Sequence, residues 1–249
     1  MNYIQNKVII ITGASAGMGK AAAQQLAAQG GKVVLAARDE AKLRAAVAEI
    51  KANGGEAQYF VCDVSRAEQV QALADFALQT YGQIDVLVNN AGYMPGSFLV
   101  KNNTAEWNKT IDINIKGVLY GVGAVLGQMR KQGRGQIINV ASVAAYETPT
   151  PGAVVYCATK HAVRALTDGL RAEEAMMKSP VRISCMSPGA IDTDLKHDVT
   201  DPDLREFVLK SYEEMPSLSP DDMAYGIVAA INTPDNIEVG EIVVRPTGG

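Results

Sequence analysis

The sequence of 249 residues is poor in cysteine and histidine and has no long apolar run. Its three cysteines, Cys62, Cys157 and Cys185, are widely spaced, and with two histidines they form no metal-binding pattern. We therefore expect reduced thiols in a cytoplasmic protein, and no bound metal. No window approaches ~18 consecutive apolar residues, and the net charge of -4 comes without a basic stripe. We expect neither a membrane-spanning helix nor a nucleic-acid interface.

A regular alternation of strand and helix signals runs almost to the end of the chain. Strand signals, which are short apolar and β-branched runs, cover residues 8–11, 32–36, 57–62, 86–89, 136–140, 181–186 and 238–244. Helical signals lie between them, at residues 20–29, 40–53, 67–81, 105–130, 156–177 and 221–232. This alternation predicts an α/β fold in which a doubly wound parallel sheet of seven strands carries helices on both faces. Since no linker or repeat interrupts it, we expect a single domain over residues 1–249.

The first strand signal leads into a glycine-rich turn, T-G-x-x-x-G-x-G at residues 12–19. A helix N-terminus offers unpaired N–H groups and a partial positive charge, and glycine lets the backbone approach a pyrophosphate closely. The turn therefore predicts a site for the phosphates of a dinucleotide. An ordinary strand–turn–helix rich in small residues is the alternative.

The residues after the second strand bear on which dinucleotide binds. Ala37 and Arg38 stand where NAD-binding proteins usually place an acid that holds the ribose hydroxyls. A guanidinium suits the 2′-phosphate instead, so we expect NADP(H) as the cofactor. Asp39 and Glu40 are close enough in sequence to form an ion pair with Arg38. The other interpretation is that Arg38 is a solvated surface residue.

Polar residues also follow the third and fourth strands. Asp63, next to Val64, can accept a hydrogen bond from an adenine amino group, or it can cap the following helix. The fourth strand ends in N-N-A-G at residues 89–92. Buried amides need partners, so this sequence either shapes a cofactor cleft or forms a structural turn.

Tyr156 and Lys160 lie one turn apart on one face of a predicted helix. A free phenol has a pKa of ~10, and a neighbouring ammonium favours the phenolate and lowers that pKa, which makes the tyrosine a usable general acid or base. Ser142, at the end of the fifth strand, can donate to a substrate carbonyl. Asn114 lies among isoleucines in a long predicted helix and, if buried, needs backbone or water partners. The alternative is an amphipathic helix with one polar face.

In their order and approximate spacing, the glycine turn, the N-N-A-G sequence, Asn114, Ser142, Tyr156 and Lys160 resemble the short-chain dehydrogenase/reductase family over essentially the whole chain. The resemblance implies a Rossmann-type sheet with strand order 3-2-1-4-5-6-7. It also implies a homotetramer, built partly on the helices that contain Asn114 and Tyr156.

The resemblance implies a role for each catalytic residue. Tyr156 protonates or deprotonates the substrate oxygen, and Lys160 lowers its pKa and holds the nicotinamide ribose. Ser142 orients the carbonyl, and Asn114 anchors a water in a proton relay through Lys160. With Ala37 and Arg38 included, the predicted cofactor residues are Gly13, Ser15, Gly17, Met18, Gly19, Ala37, Arg38, Asp63, Val64, Asn90, Ala91, Gly92, Tyr156, Lys160, Pro188, Gly189, Ile191 and Thr193.

The substrate pocket belongs to the catalytic half of the chain, about residues 141–249, which follows a cofactor half of about residues 1–140. Residues 190–215 have no strong period and carry many acids, so we expect a mobile lid there. His197 in that lid either touches substrate or is exposed. The predicted pocket residues are Tyr93, Met94, Ser142, Val143, Ala144, Tyr146, Val155 and His197.

The C-terminal sequence E-I-V-V-R-P-T, residues 241–247, resembles the branch that holds serine and 3-hydroxy acid dehydrogenases and carbonyl reductases. The expected activity is NADP(H)-dependent hydride transfer to or from a small ketone, 3-oxo ester or 3-hydroxy acid. One alternative is a reductase of 3-oxoacyl groups on acyl-carrier protein. Its basic surface for binding the acidic carrier would consist of Arg130, Lys131 and Arg134. A non-catalytic NADP(H)-sensing protein is another alternative.

Overall fold

The fold is built on one sheet, seen in a computed structural model that describes residues 1–147, 151–193 and 198–248. Seven strands pair in parallel in the order β3-β2-β1-β4-β5-β6-β7. They are β1 Val8–Thr12, β2 Lys32–Ala37, β3 Glu56–Val61, β4 Val86–Asn89, β5 Gly135–Val140, β6 Val181–Pro188 and β7 Glu241–Val244. The doubly wound Rossmann-type sheet and its strand order are therefore confirmed.

Helices connect the strands and cover both faces of the sheet. They are α1 Gly17–Ala28, α2 Glu40–Ala52, α3 Ala67–Tyr81, α4 Thr104–Ile111, α5 Gly117–Gln132, α6 Val154–Met176, α7 Pro202–Glu214 and α8 Pro220–Ile231. A π-helical turn, Asp112–Lys116, joins α4 to α5, and a 3-10 turn, Val143–Ala145, follows β5.

The core lies in two layers, one on each face, and successive residues of β1 alternate between them. Ile9 and Ile11 pack in the layer that includes Leu26 of α1, while Ile10 packs in the layer that includes Leu73 of α3. Because side chains alternate along a strand and both faces are covered, each of these isoleucines is buried. This explains why the strand reads as an unbroken apolar run.

The structure corrects the sequence prediction in several elements. The helix predicted at 105–130 is divided by the π-helical turn, and the last strand begins at Glu241 rather than at residue 238. The lid predicted without regular structure at 190–215 contains α7. Pro202 occupies the first turn of that helix, where its missing N–H costs nothing, and Asp201 caps it. His197, predicted to lie in the lid, is outside the described residues.

None of the helices within the described ranges combines the length and hydropathy of a membrane span. All three cysteines are buried and carry no disulfide.

Candidate active site

The predicted site residues that the structure describes gather at one edge of the sheet, because the carboxyl ends of parallel strands all meet there. The segments that follow the first six strands contain, in chain order, Gly13, Arg38, Asp63, Asn90, Ser142 and Gly189, each within two residues of the strand end. The sequence prediction that these positions form one cleft rests on strand order, and the observed topology brings them to the same edge.

The glycine turn after β1 comes close to the chain after β4. Gly13 has a φ of +66°, and a Cβ there would lie 2.8 Å from the Cα of Ala91. A Cβ on Gly19 would lie 2.5 Å from Nδ2 of Asn90 and 2.6 Å from the carbonyl oxygen of Gly13. Both positions therefore need glycine for reasons of space, and Gly13 also for its left-handed backbone.

Hydrogen bonds fasten these two segments to each other. Asn90 donates from Nδ2 to the carbonyl oxygens of Thr12 (2.8 Å) and Gly13 (3.2 Å). In return, Oγ1 of Thr12 accepts from the backbone N–H groups of Asn90 (3.0 Å) and Ala91 (3.1 Å). The side chain of Asn90 thus shapes the glycine turn.

The N-terminus of α1 is left open toward the cleft. Ala16 is its N-cap residue and supplies no side-chain hydrogen bond, whereas Asp39 caps α2 by accepting from the N–H of Lys42. Ser15 and Gly17 are half-buried beside it, and Met18 is buried. The first N–H groups of α1 are therefore available to an anion.

The segment after β6 forms the facing wall of this turn. A Cβ on Gly17 would lie 3.4 Å from Cγ2 of Thr193, so the two segments are in reach of each other. The N–H of Gly189 donates to the carbonyl of Val244 at 2.8 Å, and Ile191 bridges to Leu218. These contacts tie the wall to β7 and to the chain before α8.

Arg38 is exposed at the end of β2, next to half-buried Ala37. The acids that could have occupied it are engaged elsewhere: Asp39 caps α2, and Glu40 accepts from Arg44 at 2.8 Å and from the hydroxyl of Tyr59 at 3.1 Å. Among the residues that the structure describes, no carboxylate lies within ion-pair distance of Arg38.

Asp63 forms a local turn at the end of β3. Its Oδ1 accepts from the N–H (3.0 Å) and the hydroxyl (2.7 Å) of Ser65. Burial raises the pKa of this carboxyl, but the hydrogen bonds from Ser65 and the charge of Arg38 outweigh burial and hold the pKa below its usual value. Val64, beside it, is buried where α5 begins, since a Cβ on Gly117 would lie 3.0 Å from Val64 Cγ2.

Lys160 is buried beneath the cleft, with 4% of its surface exposed. Its Nζ donates to the carbonyl of Val140 at 2.9 Å and lies 5.7 Å from the centre of the Tyr156 ring. Burial lowers the pKa of this ammonium to about 8. The ammonium therefore lies near the phenol ring, and its lowered pKa brings it closer to proton exchange near neutral pH.

Asn114 lies in the π-helical turn and joins the N-N-A-G loop to α6. Its Oδ1 accepts from the N–H of Tyr93 (2.8 Å), and its Nδ2 donates to the carbonyl of Tyr93 (2.9 Å) and to Oγ1 of Thr159 (3.0 Å). Sequence reasoning missed Thr159, whose only signal is its place between Tyr156 and Lys160. Its hydroxyl in turn donates to the carbonyl of Tyr156 at 2.7 Å.

A Cβ on Gly92 would lie 3.7 Å from Nζ of Lys160 and 3.8 Å from Oδ1 of Asn114. Gly92, in the loop after β4, therefore lies beside both side chains.

Ser142 is buried at the start of the 3-10 turn after β5. Its Oγ accepts from the N–H of Ala144 at 3.1 Å, which leaves the hydroxyl proton for another acceptor. Among the predicted pocket residues near it, Val143, Ala144 and Val155 are half-buried. Tyr146 instead directs its hydroxyl to Glu241 and Ser187.

The described part of the predicted lid is docked on the loop after β4. The N–H of Asp201 donates to the carbonyl of Gly96 at 3.1 Å, and Oδ2 of Asp201 accepts from the N–H of Phe98 at 3.3 Å. Buried apolar residues support this contact, and they are Val199, Leu204 and Val208. On the same side, Tyr93 and Met94 are half-buried, and Nζ of Lys109 lies 4.0 Å from the centre of the Tyr93 ring.

Comparison with known proteins gives consistent relatives over the whole chain. The family model described as short chain dehydrogenase matches residues 7–203. An uncharacterised oxidoreductase of Staphylococcus saprophyticus is 45% identical over 249 residues, which are 99% of this chain and 98% of the relative.

Two solved structures are similar to this chain over nearly its whole length. A short-chain dehydrogenase/reductase from Burkholderia phymatum in complex with NAD has 32% identity and a TM-score of 0.87, covering 98% of this chain and 90% of the other. An alcohol dehydrogenase from Thermococcus sibiricus in complex with 5-hydroxy-NADP has 30% identity and a TM-score of 0.84, with 97% of each chain covered.

Proposed function

Because the chain belongs to the short-chain dehydrogenase family and is therefore an oxidoreductase, we propose that it transfers a hydride between NADP(H) and a small carbonyl or secondary alcohol, with Tyr156 as general acid or base. The observation that carries the proposal is the pairing of Tyr156 with a buried lysine. Lys160 is held 5.7 Å from the phenol ring, and an ammonium in that place stabilises the phenolate.

The cleft fits a dinucleotide. The open N-terminus of α1 offers N–H groups to a pyrophosphate, and Gly13 and Gly19 hold the backbone where any side chain would collide. When bound, the nicotinamide supplies or accepts the hydride.

The residues of this chain then handle the proton and the carbonyl. Tyr156 gives its phenolic proton to the substrate oxygen in reduction and takes it back in oxidation. Lys160 holds positive charge beside the phenolate. Since Ala144 occupies one lone pair of Ser142 Oγ, the serine hydroxyl donates to the carbonyl oxygen and stabilises the charge that develops there.

A preference for NADP(H) over NAD(H) is supported by Arg38. Its guanidinium is exposed at the end of β2, while the neighbouring acids Asp39 and Glu40 are engaged in a helix cap and an ion pair. A guanidinium that forms no ion pair with a described residue suits a 2′-phosphate. The relatives of known structure include complexes with NAD and with an NADP derivative, so the choice is a property of each chain.

We propose ketones, 3-oxo esters and 3-hydroxy acids as the substrate class. The support is the apolar surface that half-buried Val143 and Val155 offer. The Thermococcus sibiricus relative is an alcohol dehydrogenase, which agrees with this class.

The acyl-carrier alternative finds less support. Two of the cations suggested as its dock are engaged within the chain, since Arg130 pairs with Glu174 and Arg134 pairs with Asp85 at 2.9 Å. Paired cations attract an acidic partner weakly.

One panel tests the proposal and its alternatives together. Ketones, 3-oxo esters and 3-oxoacyl thioesters are offered with NADPH, and NADPH oxidation is followed. Reduction of free ketones or 3-oxo esters is the expected result. Reduction of carrier-linked thioesters alone would point to the carrier-dependent enzyme, and cofactor binding without any turnover would point to a sensor.

We also propose a homotetramer, in keeping with the family. Ile111 of α4 and Leu119 of α5 are 38% and 45% exposed, so the helices on either side of Asn114 offer apolar surface for contact with another copy. Light scattering coupled to gel filtration measures the assembly directly, and a monomer would contradict the proposal.

A further inference from the structure

The 3-10 turn that carries Ser142 is a short, internally bonded unit with Tyr146 at its far end. The N–H of Ala145 donates to the carbonyl of Ser142 at 2.9 Å, and the N–H of Tyr146 donates to the carbonyl of Val143 at 3.0 Å. Together with the bond from Ala144 to Ser142 Oγ, these contacts make the turn rigid. A displacement of Tyr146 therefore moves Ser142.

The side chain of Tyr146 is fastened on several sides. Its hydroxyl donates to Oε1 of Glu241 and lies 3.3 Å from Oγ of Ser187, which is fully buried. The guanidinium carbon of Arg164 lies 4.4 Å from the centre of the Tyr146 ring, and Arg164 Nε donates to the same oxygen of Glu241 at 3.0 Å. We call Tyr146, Arg164, Ser187 and Glu241 the Tyr146 cluster.

The Tyr146 cluster joins the elements that hold the two proposed reacting groups. Glu241 is the first residue of β7, and Ser187 lies near the end of β6. Arg164 lies on α6 one turn beyond Lys160 and two turns beyond Tyr156, on the same face. The turn that carries Ser142 is thereby tied to the helix that carries Tyr156.

We propose that Tyr146 is a positioning residue, which sets the distance between Ser142 and Tyr156 through its hydrogen bond to Glu241. The proposal rests on the proposed function, because it concerns the alignment of those two groups on a carbonyl. It differs from the sequence prediction that Tyr146 lines the substrate pocket, because the hydroxyl points to Glu241 and Ser187.

The tyrosine hydroxyl suits this role over a wide pH range. Burial and the neighbouring Glu241 carboxylate raise the pKa of Tyr146 above its usual value, so the hydroxyl remains a donor. The guanidinium of Arg164 keeps Glu241 in place as the acceptor.

The test compares Tyr146→Phe with the wild type over ketones of increasing size. Phenylalanine keeps the ring under Arg164 and removes only the hydroxyl. We expect kcat to fall by about tenfold, by a similar factor for every ketone, because a misplacement of about 1 Å costs ~100-fold and loss of the hydroxyl should shift Ser142 by less. The KM values for ketone and NADPH stay within about twofold. The single variant Glu241→Gln keeps an accepting oxygen and should retain most of the wild-type kcat. Glu241→Ala loses that oxygen and should lower kcat as Tyr146→Phe does.

Tyr225→Phe serves as the matched control, since Tyr225 is 70% exposed on α8, outside the cluster, and is expected to leave kcat unchanged. If the loss of kcat in Tyr146→Phe changes with ketone size, Tyr146 contacts the substrate. If kcat is unchanged, Tyr146 has no positioning role. Either result overturns the proposal.

Hydrogen exchange of the amides at residues 142–147 gives a readout independent of turnover. In Tyr146→Phe we expect faster exchange at Ala144 and Ala145, whose N–H groups bond to Ser142. If the wild type reduces no ketone but exchange accelerates, the proposed reaction is wrong and the link between Tyr146 and Ser142 holds. If the wild type turns over and exchange is unchanged, the link is wrong.

Discussion

Nζ of Lys160 lies 5.7 Å from the centre of the Tyr156 ring, in a site so buried that the pKa of the ammonium falls to about 8. The same burial has two consequences. It strengthens the effect of the positive charge on the phenol, because the surrounding dielectric is low, and it makes the charge costly for the folded state. In the proposed mechanism, catalysis and stability therefore place opposite demands on this lysine.

Tyr156→Phe tests whether the phenol is the proton donor of the proposed reaction. The substitution removes the phenolic proton and leaves a ring of nearly the same shape on α6. General acid catalysis contributes ~10²–10⁴-fold, so we expect turnover to fall by at least ~100-fold while NADPH affinity stays nearly constant. Steady-state kinetics and fluorescence titration with NADPH measure the two quantities. A variant that retains more than about a tenth of wild-type turnover would show that Tyr156 is not the proton donor.

Lys160→Met tests the second consequence. A pKa lowered from 10.5 to about 8 corresponds to roughly 3 kcal/mol of destabilisation by the buried charge. The lost hydrogen bond to Val140 offsets about 1 kcal/mol of the gain. At pH 7 the inactive variant should therefore be more stable than the wild type by about 1–2 kcal/mol, as measured by urea unfolding.

The pH dependence of that difference has a defined sign. Between about pH 8 and 10.5 the unfolded chain binds a proton on Lys160 that the folded chain has lost, so the stability of the wild type gains with rising pH. The advantage of Lys160→Met should shrink as the pH rises, vanish near the middle of this window, at about pH 9, and reverse at its upper end, where the wild type has recovered roughly 3 kcal/mol. An advantage that stays constant from pH 7 to 10.5 would mean that Lys160 carries no buried charge.

The parts of the site that follow directly from chain order could be predicted from the sequence. The first, fourth and fifth strands end at Thr12, Asn89 and Val140. Gly13, Asn90 and Ser142 follow within two residues, so parallel pairing alone carries them to one edge. The spacing of Tyr156 and Lys160 likewise needs only helical periodicity.

Features that depend on a tertiary partner could not be predicted. Asn114 was expected to need backbone or water, and the partner that completes its hydrogen bonds is Thr159 on another helix. Tyr146 follows a strand that points to the cleft, but the 3-10 turn rotates it toward β7. The sequence did not predict helix α7, because a proline such as Pro202 usually indicates a helix break. It is compatible with a helix only in the first turn, which is where the structure places it.

Gly19→Ala probes the approach of the glycine turn to the loop after β4. The added methyl would lie 2.5 Å from Asn90 Nδ2 and 2.6 Å from the Gly13 carbonyl, so the turn must shift. We expect a loss of about 1–3 kcal/mol in stability, as for overpacked cores, and weaker NADPH binding. Gly123→Ala on α5 is the matched control, because a Cβ there meets nothing within 4 Å. It should stabilise the helix by about 0.5–1 kcal/mol. Equal effects of the two substitutions in thermal unfolding would exclude the predicted collision.

Asp201→Ala probes the docking of the lid. Asp201 is 4% exposed, caps α7 and accepts from the N–H of Phe98. Its loss leaves Phe98 N–H and the helix N-terminus without this partner, so the docked position weakens by about 1–2 kcal/mol. We expect the ketone KM to rise while the NADPH affinity changes little. Asp203→Asn, at an exposed position paired with Lys101, is the control and should leave both unchanged. A ketone KM that Asp201→Ala leaves unchanged would show that docking of the lid does not contribute to substrate binding.

Arg38→Leu and Ala37→Asp test the cofactor preference. A charge-assisted hydrogen bond contributes roughly 1.5–3 kcal/mol, and each ~1.4 kcal/mol is a factor of ten, so the wild type should prefer NADPH by at least ~10-fold in kcat/KM. Arg38→Leu should lower kcat/KM for NADPH selectively. Ala37→Asp should move the preference toward NADH, because a carboxylate repels the 2′-phosphate and accepts from the ribose hydroxyls. Lys51→Met, in the last turn of α2, removes an exposed charge outside the cleft and should change neither value. Equal use of both cofactors by the wild type, or an unchanged selectivity in Arg38→Leu, would show that Arg38 does not bind the 2′-phosphate.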